Sequence, residues 1–408
     1  MPKLAVPVIM YHSIGVRDTN WNFGYLTCPY QVFENQLKWL KMSGYTSISL
    51  NELYNYMKRG EEIPKKAIVL TFDDGYADNW VFAYPLLKKY GFKATIYVNP
   101  EFVDPQKQPR TNLDDLWSGN ACFDELPISG YLSWAEMKEM EEDDVIDIQS
   151  HTMSHTWLPQ SDRIIDFRHP GDSYTWMTWN QNIEKKPFLQ KDDEYLKAYG
   201  QPVFENGRAI GVKQFIPDKE FVQAFTDHID DNGGKNFFKS DNWKEELFRL
   251  EHINKKDRIV PGRYETDGEY RARLYYELEQ SKRTIERELN KEVRFLCWPG
   301  GAATPEASEI AYHLGYLSAN IPKHLRKSKK YLKNCYGEKS NQISRFGPSL
   351  YWDGVEGNGS KIVYKNGIQL LLSIEGFRGS RITALMARYI LGGSSLAYKF
   401  MYAGISRP

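Results

Sequence analysis

The feature that most restricts this chain is an alternation of short strand-like and longer helix-like segments, which points to parallel α/β architectures built with right-handed crossovers. "VPVIMY" reads as a strand, and "CPYQVFENQLKWLKMSGY" as a helix with Pro29 near its start, Phe33, Leu37 and Leu40 on one face, and Gly44 as its stop. The strand "YTSISL", the helix "NELYNYMKRG" with Asn51 as N-cap, the strand "AIVLTF", the helix "NWVFAYPLLKKYG" and the strand "KATIYV" come next. Ser133 and Glu136 predict a capping box for "WAEMKEM", ahead of the strand "VIDIQSH". A long amphipathic helix from about Glu269 to Leu289, the strand "VRFLCW", a helix from Pro305 and the strand "YLSAN" resume the rhythm. A parallel sheet or barrel is expected.

Between about Gln160 and Tyr264 the rhythm is lost in a polar, aromatic stretch that includes "YTWMTWN" and the pair Gly233 and Gly234. The expected organisation is a barrel from residues 1–159 and 265–348, with 160–264 inserted over its rim and 349–408 as a C-terminal extension packed on it. In that extension Asn366-Gly367 between apolar runs predicts a hairpin, with a helix after it around Ile382 to Leu391.

Composition removes several classes of function. Lys plus Arg and Asp plus Glu are equal at 53 each, so there is no electrostatic case for a nucleic-acid or anionic-membrane partner. Hydrophobic residues at 41% supply a sizeable core, while no run approaches the roughly 18 apolar residues of a membrane span. The four cysteines form no C-x-x-C pair, which argues against a zinc-thiolate site or a disulfide framework. The apolar stretch at the N-terminus is too short for a signal peptide, so the expected location is cytoplasmic, or exported if a leader has been removed. Aromatics at 14% exceed what a core requires and are compatible with sugar-stacking surfaces.

The apolar run "AIVLTFDDGY" ends in two adjacent aspartates, Asp73 and Asp74, at the carboxyl end of a strand, where barrels and doubly wound sheets place their sites. Taken alone, Asp-Asp-Gly is also an ordinary turn. "DIQSHTMSHTWLP" adds His151 and His155, four apart after another strand, and on a helical turn both imidazoles would face one metal ion. One carboxylate and two neutral imidazoles leave a coordination position open, the pattern of a catalytic site. The other aspartate would stay ionised beside the metal and take a proton from its water. "RFLCWPGGAATPE" places a Pro-Gly-Gly turn between a strand and a helix, where exposed N–H groups could bind an oxyanion, although an ordinary loop would look much the same. His12 stands where the first strand runs out, either as a half-buried side chain or as a general acid on the same rim.

With these pieces assembled, the sequence resembles the polysaccharide deacetylases of carbohydrate esterase family 4, whose fold is the NodB-homology domain. The resemblance is carried by "TFDDG" at Thr71 to Gly75, "SHTMSH" at Ser150 to His155 and "WPGG" at Trp298 to Gly301. It implies a distorted (β/α)7-type barrel with a large insertion. It further implies Asp73 as catalytic base, Asp74, His151 and His155 as ligands of a divalent metal, zinc with cobalt, nickel or iron as alternatives, and the Gly300 N–H as an oxyanion donor. The opening "VIMYHSI" looks like that of the permuted branch containing the biofilm poly-N-acetylglucosamine deacetylases, which assigns the acid to His12. No later motif supplies that acid, the last histidine being His324. Two positions depart from the family loop: Cys297 stands where an arginine orients the base, and Gly300 where an aromatic follows Pro299. Arg345 in "QISRFGP" matches an arginine late in the permuted domain, where it could partly compensate for the missing base-orienting arginine, and is grouped with Trp298, Pro299, Gly300 and Gly301 as a substrate or oxyanion residue. The expected activity is removal of N-acetyl groups from an N-acetylated sugar or polysaccharide. The same chemistry on O-acetyl xylan or a small cyclic amide, or a carbohydrate-binding protein with a decayed site, are the alternatives.

Overall fold

The structure, a computed structural model, describes residues 4–16, 18, 20, 21, 23–188, 194–256, 261–322, 332–347 and 366–379, and residues 382, 385–387 and 389–393. Ten strands position the rim and the ribbon above it: β1 (Val8–Tyr11), β2 (Thr46–Ser47), β3 (Ala67–Phe72), β4 (Ala94–Val98), β5 (Ile146–Ser150), β6 (Trp157–Phe167), β7 (Pro202–Arg208), β8 (Phe295–Leu296), β9 (Ser318–Asn320) and β10 (Gln342–Ile343). A parallel sheet runs in the order β1-β3-β4-β5-β8-β9-β10, with β2 paired to β3. It comes round on itself through a parallel bridge between Ile9 and Phe346. There the Phe346 N–H donates to Val8 O at 3.0 Å and the Met10 N–H to Phe346 O at 2.9 Å. The α/β barrel expected from the sequence is therefore present.

All strands of this sheet are parallel, so their carboxyl ends gather at one rim. Tyr11 pairs with Phe72, Val98 with Ser150 and Ser150 with Leu296. The next residues on these strands are His12, Asp73, Asn99, His151 and Cys297. Both faces of β3 are buried and its side chains alternate: Ile68, Leu70 and Phe72 join the large cluster under the surrounding helices. Ala67 and Val69 join a second cluster with Tyr97, Phe295, Cys297 and the helix Leu50–Arg59.

That helix is capped by Ser49, whose hydroxyl accepts from the Glu52 N–H while the Glu52 carboxylate accepts from the Ser49 N–H. Asn51, the expected cap, lies inside it. The Ser133 and Glu136 capping box is formed. The expected helix "NWVFAYPLLKKYG" divides into a π turn, Asn79–Ala83, and the α-helix Tyr84–Tyr90. The long helix Asp267–Leu289 carries a similar π turn at Tyr276–Gln280.

Beyond β5 the chain forms an antiparallel ribbon of β6 with β7. Its Ile164, Phe167 and Phe204 pack with Phe221, Phe225 and Ile229 of the helix Lys219–Asp231. Asn366-Gly367 does not turn a hairpin: the Asn366 side chain accepts from the Gln369 N–H and caps the helix Gly367–Arg378. Asn both caps helices and favours turns, so the dipeptide alone does not separate the two. The Gly367 N–H donates to Asn35 Oδ1 at 2.9 Å, fixing this helix against Tyr30–Met42. The described positions between 382 and 391 are helical. His324 lies outside the described residues. Among the described residues no helix is long and apolar enough to cross a membrane.

Candidate active site

Asp73 and Asp74 follow β3 directly and are both buried. Asp74 has a φ of 76° and Gly75 a φ of 69°, so the chain turns through the left-handed region in two steps and aims the two carboxylates differently. Arg345 grips Asp73 as a fork: Nη1 donates to Oδ1 at 2.7 Å and Nη2 to Oδ2 at 2.9 Å. Burial opposes the charged form of Asp73, but the Arg345 guanidinium, with help from His151, outweighs it and holds the carboxyl below its usual range. Arg345 Nη2 also reaches Cys297 Sγ at 2.9 Å. Arg345 therefore braces Asp73, in the compensating place expected for it. The place that Cys297 leaves open is served from a different strand end.

Asp74 meets the two histidines. His151 Nε2 and His155 Nε2 each lie 3.2 Å from Asp74 Oδ1. Among the described residues that buried oxygen nevertheless has no hydrogen-bond partner. Three ligand-type atoms that converge without bonding geometry, around one orphaned buried carboxylate oxygen, fit a cation in their midst. Asp73, His151 and Cys297 also cluster, but both oxygens of Asp73 are already held by Arg345. The first set is the fitting cradle.

The two histidines converge along a loop instead of the expected helical turn. Thr152 has a φ of 68° and His155 a φ of 46°. The loop is pinned on both sides. Asn99 Nδ2 donates to His151 O and, at 3.1 Å, to Thr152 O. The Met153 and Ser154 N–H groups both donate to Glu277 Oε2 at 3.1 Å, and the Ser154 hydroxyl donates to Glu277 Oε1. Glu277 belongs to the π turn of the long helix. His151 Nδ1 donates to Cys297 O at 2.7 Å, which turns the Nε2 lone pair toward Asp74. Around His155 burial comes first and the Arg208 guanidinium second in holding the imidazole well below its ordinary pKa.

His12 is half-buried at the end of β1, level with Asp73, and Asn79 Nδ2 holds its carbonyl at 2.9 Å. Trp298 has its side chain in the core, and its backbone N–H donates to Asn320 Oδ1 at 2.6 Å. Pro299–Gly301 form a single tight turn with Gly300 at a φ of 57°, and the Gly301 N–H is used by Trp298 O. Gly300 is exposed, and its N–H makes no hydrogen bond among the described residues. Asn99, Arg208 and Glu277 do not stand out in the sequence. Asn99 alone carries a signal, as the residue that follows "KATIYV" on the rim.

The polysaccharide deacetylase family model matches residues 60–203. A putative polysaccharide deacetylase of Bacillus subtilis, YxkH, is 32% identical over 153 residues, 38% of this chain and 44% of that protein. The poly-beta-1,6-N-acetyl-D-glucosamine N-deacetylase of Escherichia coli K12 is 25% identical over 151 residues, 37% of this chain and 21% of that protein. This chain thus spans less than half the length of either curated relative. The solved structure of a de-N-acetylase from Aggregatibacter actinomycetemcomitans aligns over 84% of this chain and 94% of its own, at 19% identity with a TM-score of 0.49.

Proposed function

We propose that the chain, whose residues 60–203 match the polysaccharide deacetylase family model, hydrolyses the N-acetyl groups of an amino sugar or its polymer. The observation that carries the reading is the division of labour between neighbouring carboxylates: Asp73 is locked and ionised by Arg345, while Asp74 shares one oxygen with two imidazoles. A divalent ion held by Asp74, His151 and His155, zinc foremost, would supply Lewis acidity toward the acetyl carbonyl and acidify a water.

The chain's own groups do the rest. Asp73, kept as a carboxylate at neutral pH, accepts a proton from the attacking water. The new C–O bond converts the carbonyl to a tetrahedral oxyanion, for which the free Gly300 N–H is the available donor. His12, on the same rim, donates a proton to the amine nitrogen as the C–N bond breaks. The products are acetate and a free amino sugar.

Asp73→Asn tests the assignment. It keeps the shape and the fork partner but cannot take the proton, so turnover falls by at least about 10²-fold while bound metal is unchanged. Retained turnover would remove Asp73 from the mechanism.

A further inference from the structure

Arg208, the last residue of β7, enters the cradle from the ribbon. Its Nη1 lies 3.2 Å from His155 Nδ1 and 3.3 Å from His155 O. Its guanidinium carbon sits 3.4 Å from the centre of the Trp157 ring, stacked on it. A methyl group added at Gly300 would come within 3.2 Å of Arg208 Nε, so this glycine leaves the room the guanidinium occupies. Among the described residues no carboxylate pairs with Arg208, whereas Arg345 is matched by Asp73.

This arrangement is the reverse of the one at His151. There the ring Nδ1 faces a carbonyl, which leaves Nε2 as a ligand. At His155 the ring Nδ1 faces a donor, and a metal on Nε2 would leave N–H against N–H across that 3.2 Å contact. The charge count agrees. Asp73 cancels Arg345 and Asp74 offsets Arg208, so a divalent cation arrives at a cradle with no net negative charge left for it. An anionic oxygen beside the cation would remove both conflicts, because it offsets the surplus charge and draws the guanidinium off His155. The unbonded Gly300 N–H beside Arg208 is a second donor for such an anion.

We infer that Arg208 is a positioning residue that makes cation binding at Asp74, His151 and His155 conditional on an anionic oxygen, a carboxylate or oxyanion, in the same pocket. The inference rests on the reading of those three residues as metal ligands. Coupling of this kind is reciprocal: the anion strengthens metal binding by the same factor as the metal strengthens anion binding.

The test is zinc affinity, measured on the full chain by competition with a chromophoric chelator, with and without acetate, in a buffer free of coordinating anions. Wild type, Arg208→Gln and Arg208→Lys are compared, with thermal melts to confirm folding. Without acetate, Arg208→Gln binds zinc about 10- to 100-fold more tightly than wild type, the scale on which the outer partners of a ligand histidine act. Acetate tightens zinc binding several-fold in wild type, retains part of that effect in Arg208→Lys, and has none in Arg208→Gln. Equal or weaker zinc binding in Arg208→Gln, or an acetate effect undiminished by that change, overturns the inference. Should Arg208→Gln fail to fold, an acetate effect in wild type that is absent from Arg208→Lys overturns it as well. Absence of zinc binding in wild type would instead overturn the metal-site reading, so the two failures are distinguishable.

Discussion

Replacing Arg345 by methionine removes the group that keeps Asp73 ionised. Both side chains are only 5% exposed, and two N–H···O bonds of 2.7 and 2.9 Å join them. Breaking a buried pair by deleting one partner costs about 3–5 kcal/mol, because the other charge stays behind. Burial is the largest influence on Asp73 and acts upward, and in the variant its main opponent is gone. The carboxyl of Asp73 therefore moves upward, toward its neutral form. The acid limb of the pH profile of kcat/KM moves up with it, with activity lost at neutral pH and partly regained toward alkaline pH. Stability follows the same sign. In wild type the lowered carboxyl contributes stability above the ordinary carboxylate pKa, which is lost as pH falls through the folded value; in Arg345→Met the variant is instead destabilised as pH rises. Melting of the double variant Asp73→Asn, Arg345→Met recovers much of the loss, a coupling of about 3 kcal/mol in a double-mutant cycle. An unmoved acid limb together with additive melting effects would refute the reasoning.

Three further outcomes are expected. Glu277→Gln loses a carboxylate that accepts three hydrogen bonds from Met153 and Ser154, so zinc affinity, measured by chelator competition, falls by about tenfold or more. Asp78 is buried against Ser13 and Asn79, and desolvation pushes its carboxyl up to about 7. The folded state then holds a proton the unfolded chain has released, and stability declines as pH rises from about 4 to 7. Asp78→Asn flattens that decline, read from melts at pH 5 and pH 8. Gly300→Ala places a side chain at a φ of 57° and within 3.2 Å of Arg208 Nε, which lowers stability by about 1 kcal/mol and displaces the guanidinium, detectable as a changed acetate effect on zinc binding.

The barrel is legible in the sequence because its strands are apolar on both faces and its helices are amphipathic, signals carried within a few residues. The rim placement of His12, Asp73 and His151 comes from where each strand ends. Other elements are not legible, for identifiable reasons. The helical spacing expected for His151 and His155 gives way to a loop, because Glu277, over a hundred residues away in sequence, satisfies its N–H groups. The Ser49-x-x-Glu52 capping box is present in the sequence, yet Asn51 competes with it as an equally good cap by residue type. Arg345 is tied to Asp73 only by the resemblance, since no local signal pairs them: closure of the barrel through Phe346 brings the two together. Arg208 lies in a stretch without periodicity, and nothing local marks it as facing His155.

The most direct test of the central claim is acetate release by the purified chain from N-acetylglucosamine oligomers, beside acetylated xylan, with and without chelator and added zinc. Release from the amino sugar that stops with chelator and returns with zinc is the predicted result. No release from either substrate by zinc-loaded protein would contradict the deacetylase reading, and release from xylan alone would move the chemistry from amide to ester.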